Sequence, residues 1–171
     1  MEKKFHKISP NDLTDNPFRI IGTDYMLITA GKKNSFNTMT AGWGGMGILW
    51  KRPVAFCVVR PTRYTYDFME KNDFFTLCFF DEKYKGMLTI CGTKSGRDTD
   101  KIKETGLKPL ETEEGNIYYE QSRLMLECRK IYFDDIKPQN FLENSIHELY
   151  PLKDYHRLYV GEIKNCLIEK F

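Results

Sequence analysis

The segment Pro53–Arg60 (Pro-Val-Ala-Phe-Cys-Val-Val-Arg) is a continuous apolar run rich in valine. Such a run marks a strand buried on both faces. Tyr25–Ala30 and Phe36–Ala41 form a predicted hairpin closed by Lys32, Lys33 and Asn34. Phe74–Phe80 is another strand of aromatic and apolar residues, and Ser122–Phe133 and His156–Glu169 are long strand candidates. In the first of these, Leu124, Leu126 and Cys128 face one way while Glu127 and Arg129 face the other. In the second, Gly161 marks a bulge or a close backbone approach.

The predicted helices are short. Thr62–Lys71 has Thr62 as its N-cap, with Tyr64 and Phe68 on one face. Asp81–Cys91 ends at Gly92, and Asp98–Thr105 ends at Gly106. Pro138–Asp154 is irregular. Five or six long strands with short helices predict a mainly β chain, closed or partly closed into a barrel. A chain of 171 residues fits a single domain over residues 1–171 with a core that needs no staples.

Composition removes several classes of function. Basic residues number 26 and acidic residues 24, too balanced to argue for a nucleic-acid partner or an anionic membrane surface. No apolar stretch approaches the roughly 20 residues that span a bilayer. Met1–Lys7 is charged and no apolar segment follows it, so no secretory leader is expected, and the predicted location is cytoplasmic. Cys57, Cys78, Cys91, Cys128 and Cys166 form no CxxC pair and fit no zinc spacing; they read as reduced core residues, and no metal site is expected.

Three segments have the chemistry of a ligand site. Asn37-Thr38-Met39-Thr40-Ala41-Gly42-Trp43 is extended, with Phe36, Thr38 and Thr40 on one side and Asn37, Met39 and Ala41 on the other. It offers hydroxyls, an amide and backbone N–H groups to something flat and polar, and Trp43 adds an aromatic face; a plain edge strand with a surface tryptophan is the competing reading. Arg60-Pro-Thr-Arg-Tyr-Thr65 joins a buried strand to a helix start, where free amides and partial positive charge suit a phosphate beside Arg63, Thr62 and Thr65. A capping turn with a solvated arginine would look the same. Ser95-Gly-Arg-Asp-Thr-Asp-Lys101 puts a glycine turn beside Arg97 and Lys101, four apart on a predicted helix, and these two cations can grip a phosphate or be paired by Asp98 and Asp100. No Walker or Rossmann loop is present.

The order of these segments resembles the flavin reductase-like family with its FMN-binding split-barrel fold. That family shows an Asn-x-Met-Thr-Ala-x-Trp-like stretch, a Pro-containing strand, a Ser/Thr-rich turn before a helix, and a Ser-Gly-x-x-x-x-Lys segment. Tyr155-His-Arg-Leu-Tyr-Val-Gly-Glu-Ile163 resembles the late strand in which a histidine precedes Gly-Glu. The likeness runs from about Asp24 to Ile168. It implies FMN as cofactor and NADH or NADPH as reductant, with a small molecule or a protein as electron acceptor. It also implies a homodimer. The alternative is an FMN electron carrier reduced by a partner protein.

Carried over by position, Asn37, Thr38, Met39, Thr40 and Ala41 would line the ring and ribityl chain, and Trp43 would pack near the ring. Arg63 and Thr65 would meet the phosphate, with Ser95 and Lys101 from another side. His156 would lie at the pyrimidine edge or open face, as the one candidate to donate a hydrogen bond in catalysis. Gly44-Gly-Met-Gly47 reads as a flexible stretch beside the site. Of the other histidines, His6 is expected in a frayed terminus and His147 on the surface.

Overall fold

Strand after strand in this chain alternates between two apolar cores. The computed structural model describes residues 5–170, so most of the charged start Met1–Lys7 lies outside the described residues. The strands are β1 (Phe5–Ile8), β2 (Met26–Lys32), β3 (Ser35–Ala41), β4 (Gly44–Leu49), β5 (Arg52–Val59), β6 (Phe74–Phe79), β7 (Pro109–Glu111), β8 (Ile117–Tyr119), β9 (Leu124–Asp135) and β10 (Arg157–Glu169). Four short α-helices accompany them: α1 (Pro17–Gly22), α2 (Tyr64–Lys71), α3 (Lys85–Thr93) and α4 (Lys101–Thr105).

The main sheet is antiparallel throughout, in the order β3-β2-β6-β9-β10-β5-β4. β1 lies beside the far end of β10, pairing Phe5 with Glu169 and Ile8 with Cys166. β10 therefore holds β9 on one side and β5 followed by β1 on the other. β7 and β8 form a separate hairpin.

One core takes Met26, Ile28 and Ala30 from β2, Met39 from β3, Ala55, Cys57 and Val59 from β5, and Phe75, Leu77 and Phe79 from β6. Residues from strands near both ends of the sheet can meet in one core only if the sheet curls round it. Ile20 and Ile21 of α1 and Met69 of α2 join the same core. The alternate residues Leu27, Cys78 and Met125 face outward into a second core, built with Met87, Leu88 and Cys91 of α3 and with Ile117 and Tyr119 of β8. β2, β6 and β9 are thus covered on both faces, as parallel-like apolar runs require.

The predicted hairpin, the Phe74 strand and both long strands are present. All five cysteines are buried and free. Gly161 sits at a register shift in β10. Tyr64 and Phe68 meet edge to face at 5.1 Å.

Several expectations need correction. β5 is buried on its inner face, but Phe56 on its outer face is half-exposed. The glycine-rich Gly44–Gly47 stretch is strand β4, paired residue by residue with β5. A Cβ on Gly45 would stand 2.5 Å from the Phe56 ring, so the glycine lets that ring lie across the strand. Thr62 is not the N-cap of α2: Arg63 occupies that position, and the Thr62 hydroxyl bonds to Asp154 at 3.3 Å. Gly92 does not end α3, which runs to Thr93 and is capped at Lys94. α4 begins only at Lys101, where Asp100 accepts from the Lys103 amide at 3.1 Å, so Arg97 and Lys101 do not share a helical face. Glu127 is opposite Leu126 in facing but is fully buried, held by Thr112, Asn116 and Asn165. His6 is part of β1, opposite Ile168.

A Cβ added at Gly161 would lie 2.6 Å from the Cys128 Cβ and 2.8 Å from the Phe75 ring. Those neighbours are buried backbone-proximal atoms and a core ring, so they have little room to give. Gly161→Ala is expected to cost about 1–3 kcal/mol, the usual scale for an overpacked core. Urea unfolding checks this through a lowered midpoint with an unchanged slope.

Candidate functional site

β3 is the end strand of the sheet, and among the described residues one of its edges has no strand partner. Its alternation follows the sequence. Asn37 and Met39 are buried on the side of the inner core, while Thr38 faces outward, where its hydroxyl meets Thr29 at 2.9 Å. Three other elements close on this strand. The Asn37 amide donates to the Thr65 hydroxyl at 2.7 Å, which ties α2 to β3. The Thr40 hydroxyl donates to the Leu88 carbonyl of α3 at 2.5 Å. The Lys101 ammonium, almost fully buried, donates to the carbonyls of Thr38 and Cys91, both at 2.8 Å. Burial lowers the Lys101 pKa, with a nearby Arg63 acting the same way.

Beyond Ala41 the chain enters a pocket of about 180 Å³. It is lined by Met39, Thr40, Ala41, Gly42, Trp43, Val58, Arg60, Arg63 and His156. No carboxylate lines it. Trp43 is 44% exposed, and its ring stands 5.1 Å from the His156 ring. His156 is 8% exposed and its Nδ1 lies 2.8 Å from the Tyr150 hydroxyl. Burial, helped by the charges of Arg60 and Arg63 and opposed by Asp154, lowers its pKa from 6.5 to about 4. The imidazole is therefore neutral at ordinary pH.

The two arginines are held from behind. Arg60 pairs with Asp154 at 2.6 Å, donates to the Leu149 carbonyl at 2.8 Å, and lies 4.7 Å over the Tyr150 ring. Arg63 donates to the Gly92 carbonyl, in the last turn of α3, at 3.2 Å. That end of a helix attracts a cation. α2 starts at Tyr64 with no side-chain cap, so its first amides are offered to whatever lies in front of Arg63.

Residues 18–170 match the family described as Flavin reductase like domain. The chain belongs to that family. No curated protein matches it by sequence. Among solved structures it is similar to an FMN-binding domain of a flavin reductase-like enzyme from Shewanella baltica OS155, with 16% identity and a TM-score of 0.71 over 99% of this chain and 79% of that one. It is also similar to flavoredoxin of Desulfovibrio vulgaris (Miyazaki F), with 21% identity and a TM-score of 0.67 over 96% and 78% of the two chains. A third, from Shewanella frigidimarina NCIMB 400, is described as having a split barrel domain; it is 14% identical, with a TM-score of 0.65 over 91% and 75%. The curled sheet of this flavin reductase-like chain is that split barrel.

The fold brings the sequence candidates onto one strand but divides them between two hollows. Met39, Thr40, Ala41, Trp43, Arg63 and His156 line the 180 Å³ pocket. Asn37, Thr38 and Lys101 line a wider cleft of about 740 Å³ along β3, with Tyr64, Gly96 and Arg97. Thr65 and Ser95 line neither hollow. Thr65 is buried under the Asn37 amide, and the Ser95 hydroxyl accepts from the Arg97 amide at 3.2 Å. Gly96 has a steric reason: a Cβ there would come 2.1 Å from the Asn37 amide oxygen. Sequence reasoning missed Val58 and the Tyr150–Asp154 support of the pocket. Arg60 was visible in its Arg-Pro-Thr-Arg run but not singled out, and nothing in the sequence joined Tyr150 to His156.

The low His156 pKa carries a pH signature. Between its ordinary value of 6.5 and about 4, the unfolded chain binds a proton at this position and the native one does not. Stability from this group is thus whole above pH 6.5 and falls as pH drops toward 4. NMR should show the His156 ring titrating near pH 4, with no midpoint between pH 5 and 8. His156→Gln should lose less stability than the parent when urea unfolding is moved from pH 7 to pH 5.

Proposed function

We propose that this chain is an FMN-binding oxidoreductase that takes hydride from NADH or NADPH and hands electrons to a further acceptor, a small molecule or a protein. The observation that carries this reading is that the family match over residues 18–170 spans every segment that meets on β3. The donor set fits the cofactor. An FMN phosphate bears roughly −1.5 to −2 charge, as phosphomonoesters do near neutral pH. Arg63 and the uncapped start of α2 suit that charge. The ring presents carbonyls and ring nitrogens, and the pocket beside Trp43 is lined by cations, a neutral imidazole and strand backbone, with no carboxylate.

In this reading the β3 residues Asn37–Ala41 and Trp43 hold the flat part of the ligand. Arg63 takes the phosphate. Lys101, Thr65 and Ser95 act from behind: Lys101 and Thr65 fix β3, and Ser95 shapes the turn before α4. His156 donates a hydrogen bond to the ligand. When bound, FMN supplies the hydride and electron chemistry; the chain binds it, orients it and shields it.

The same proposal includes a homodimer and a cytoplasmic location. Phe56 and Tyr132 are both paired with Val160 across the sheet, and Trp50 meets Tyr132 at 5.9 Å. This row is exposed and apolar, with Phe56 at 38% and Trp50 at 57%. Among the described residues no helix is long and apolar enough to cross a membrane.

Purified protein titrated with FMN is expected to bind it with a change in flavin absorbance and fluorescence, and then to bleach on addition of NADH or NADPH. A protein that takes up no FMN would remove the reading. Bleaching only by a reduced partner protein would assign the electron-carrier role. Arg63→Glu is expected to weaken FMN binding tenfold or more, because a carboxylate replaces the cation nearest the start of α2; unchanged affinity would place the phosphate elsewhere.

A further inference from the structure

We infer that Tyr150 is a positioning residue that fixes His156 as an Nε2–H donor in the pocket beside Trp43. The inference rests on the proposed flavin site only for what that donor meets. The tautomer itself follows from the geometry of the Tyr150–His156 pair.

The Tyr150 oxygen lies 2.8 Å from His156 Nδ1, and both residues are buried. Two proton arrangements satisfy that distance. In one, the phenol donates and Nδ1 accepts, which leaves the ring proton on Nε2. In the other, Nδ1–H donates to the phenol oxygen, and Nε2 is a bare lone pair. The second needs a different acceptor for the phenol proton. Among the described residues, the Tyr150 hydroxyl has no other hydrogen-bond partner than His156. A phenol oxygen that accepted from Nδ1–H would leave its own proton without a partner, which is the costly case. The first arrangement leaves no group unmatched.

Three further contacts keep Tyr150 in place. Arg60 lies 4.7 Å over its ring, Phe141 stacks at 6.1 Å, and Tyr155 packs at 4.9 Å. Arg60 is itself clamped by Asp154 on the same loop. The loop therefore carries the phenol to Nδ1 and is locked to the end of β5 by the ion pair. With Nδ1 taken, Nε2 is the nitrogen left for a ligand in the pocket. An Nε2–H there, beside Arg60 and Arg63, makes every ionisable or ring N–H group on that wall a donor. Such a wall selects a flat ligand edge that carries carbonyl oxygens or unprotonated ring nitrogens.

The test is ¹⁵N NMR of histidine-labelled protein without flavin, at pH 7. The parent is expected to show His156 as a single Nε2–H tautomer, with a pyridine-like Nδ1. Tyr150→Phe keeps the ring stack and removes the hydroxyl; it is expected to give a mixture of tautomers. In a flavin titration an even mixture of tautomers would weaken FMN binding about twofold, because only the Nε2–H fraction is competent. An Nδ1–H tautomer in the parent would overturn the inference, and so would an unchanged tautomer in a folded Tyr150→Phe. The parent spectrum decides the tautomer even if the variant does not fold. A chain that binds no FMN but shows the Nε2–H tautomer would sink the flavin reading and leave this assignment standing.

Discussion

The unpaired edge of β3 is the constraint from which the site follows. An end strand presents backbone donors and acceptors that have no ladder partner, and leaving them buried and unmatched is expensive. Here the Thr38 carbonyl is met from outside the sheet, and side chains of the same strand reach two further elements. Lys101 donates to Thr38, and Thr40 reaches the first turn of α3 through the Leu88 carbonyl. Asn37 reaches α2 through Thr65. Each bond draws a different element against the same strand. The hollows along β3 are what remains between these attachments, so the strand that needs covering is also the strand that offers a ligand surface. The strand order explains why this happens at β3. It follows β2 directly, and the chain then leaves for β4 at the opposite end of the sheet.

Lys101 shows how one residue type can read as ligand-binding and fold as support. Its spacing from Ser95 and Arg97 suggested a cation free to meet a phosphate. In the fold the residue is 6% exposed and its ammonium points at two carbonyls. A buried ammonium is tolerable only when carbonyls or carboxylates replace its water. The lowered pKa records what that burial costs the charged form. Arg63 instead lines the pocket, with its guanidinium donating to the Gly92 carbonyl at the end of α3.

The sequence made the strands legible wherever period or continuity was unbroken. β3 alternates as its side chains predicted, and the apolar runs of β5 and β6 are strands. Three things were not legible, each for a physical reason. β4 hides behind three glycines, of which Gly45 is there for a cross-strand ring, Phe56, rather than for a turn. The start of α4 was misplaced because Asp98 and Asp100 are equally good caps on paper; the geometry of the turn after Ser95, with its bonds from Asp98 and Thr99, gives the role to Asp100. The Tyr150 support of His156 lies in a stretch without periodicity, where no local pattern says which aromatic ring will meet which histidine. What period and spacing could show was therefore the scaffold of the site. What they could not show was the arrangement of polar hydrogens within it.

That arrangement has a common logic in the arginines. Arg60 is bound by Asp154, and Arg97 by Asp67 at 2.9 Å with its guanidinium 4.7 Å from the Tyr64 ring. Asp154 and Asp67 thus hold cations rather than line the pocket beside Trp43, while Asp98 and Asp100 lie along the wider cleft. Two effects follow from one cause. The cations arrive already oriented, so less side-chain freedom is lost when an anion binds. They also bear on His156: with Arg60 and Arg63 close, a second positive charge on the imidazole is opposed, and burial opposes it further. The groups that favour an anionic ligand are thus the same groups that keep the histidine neutral, and neutrality is what allows Tyr150 to assign its single ring proton. Charge recognition and tautomer selection at this pocket are two consequences of the same placement of Arg60.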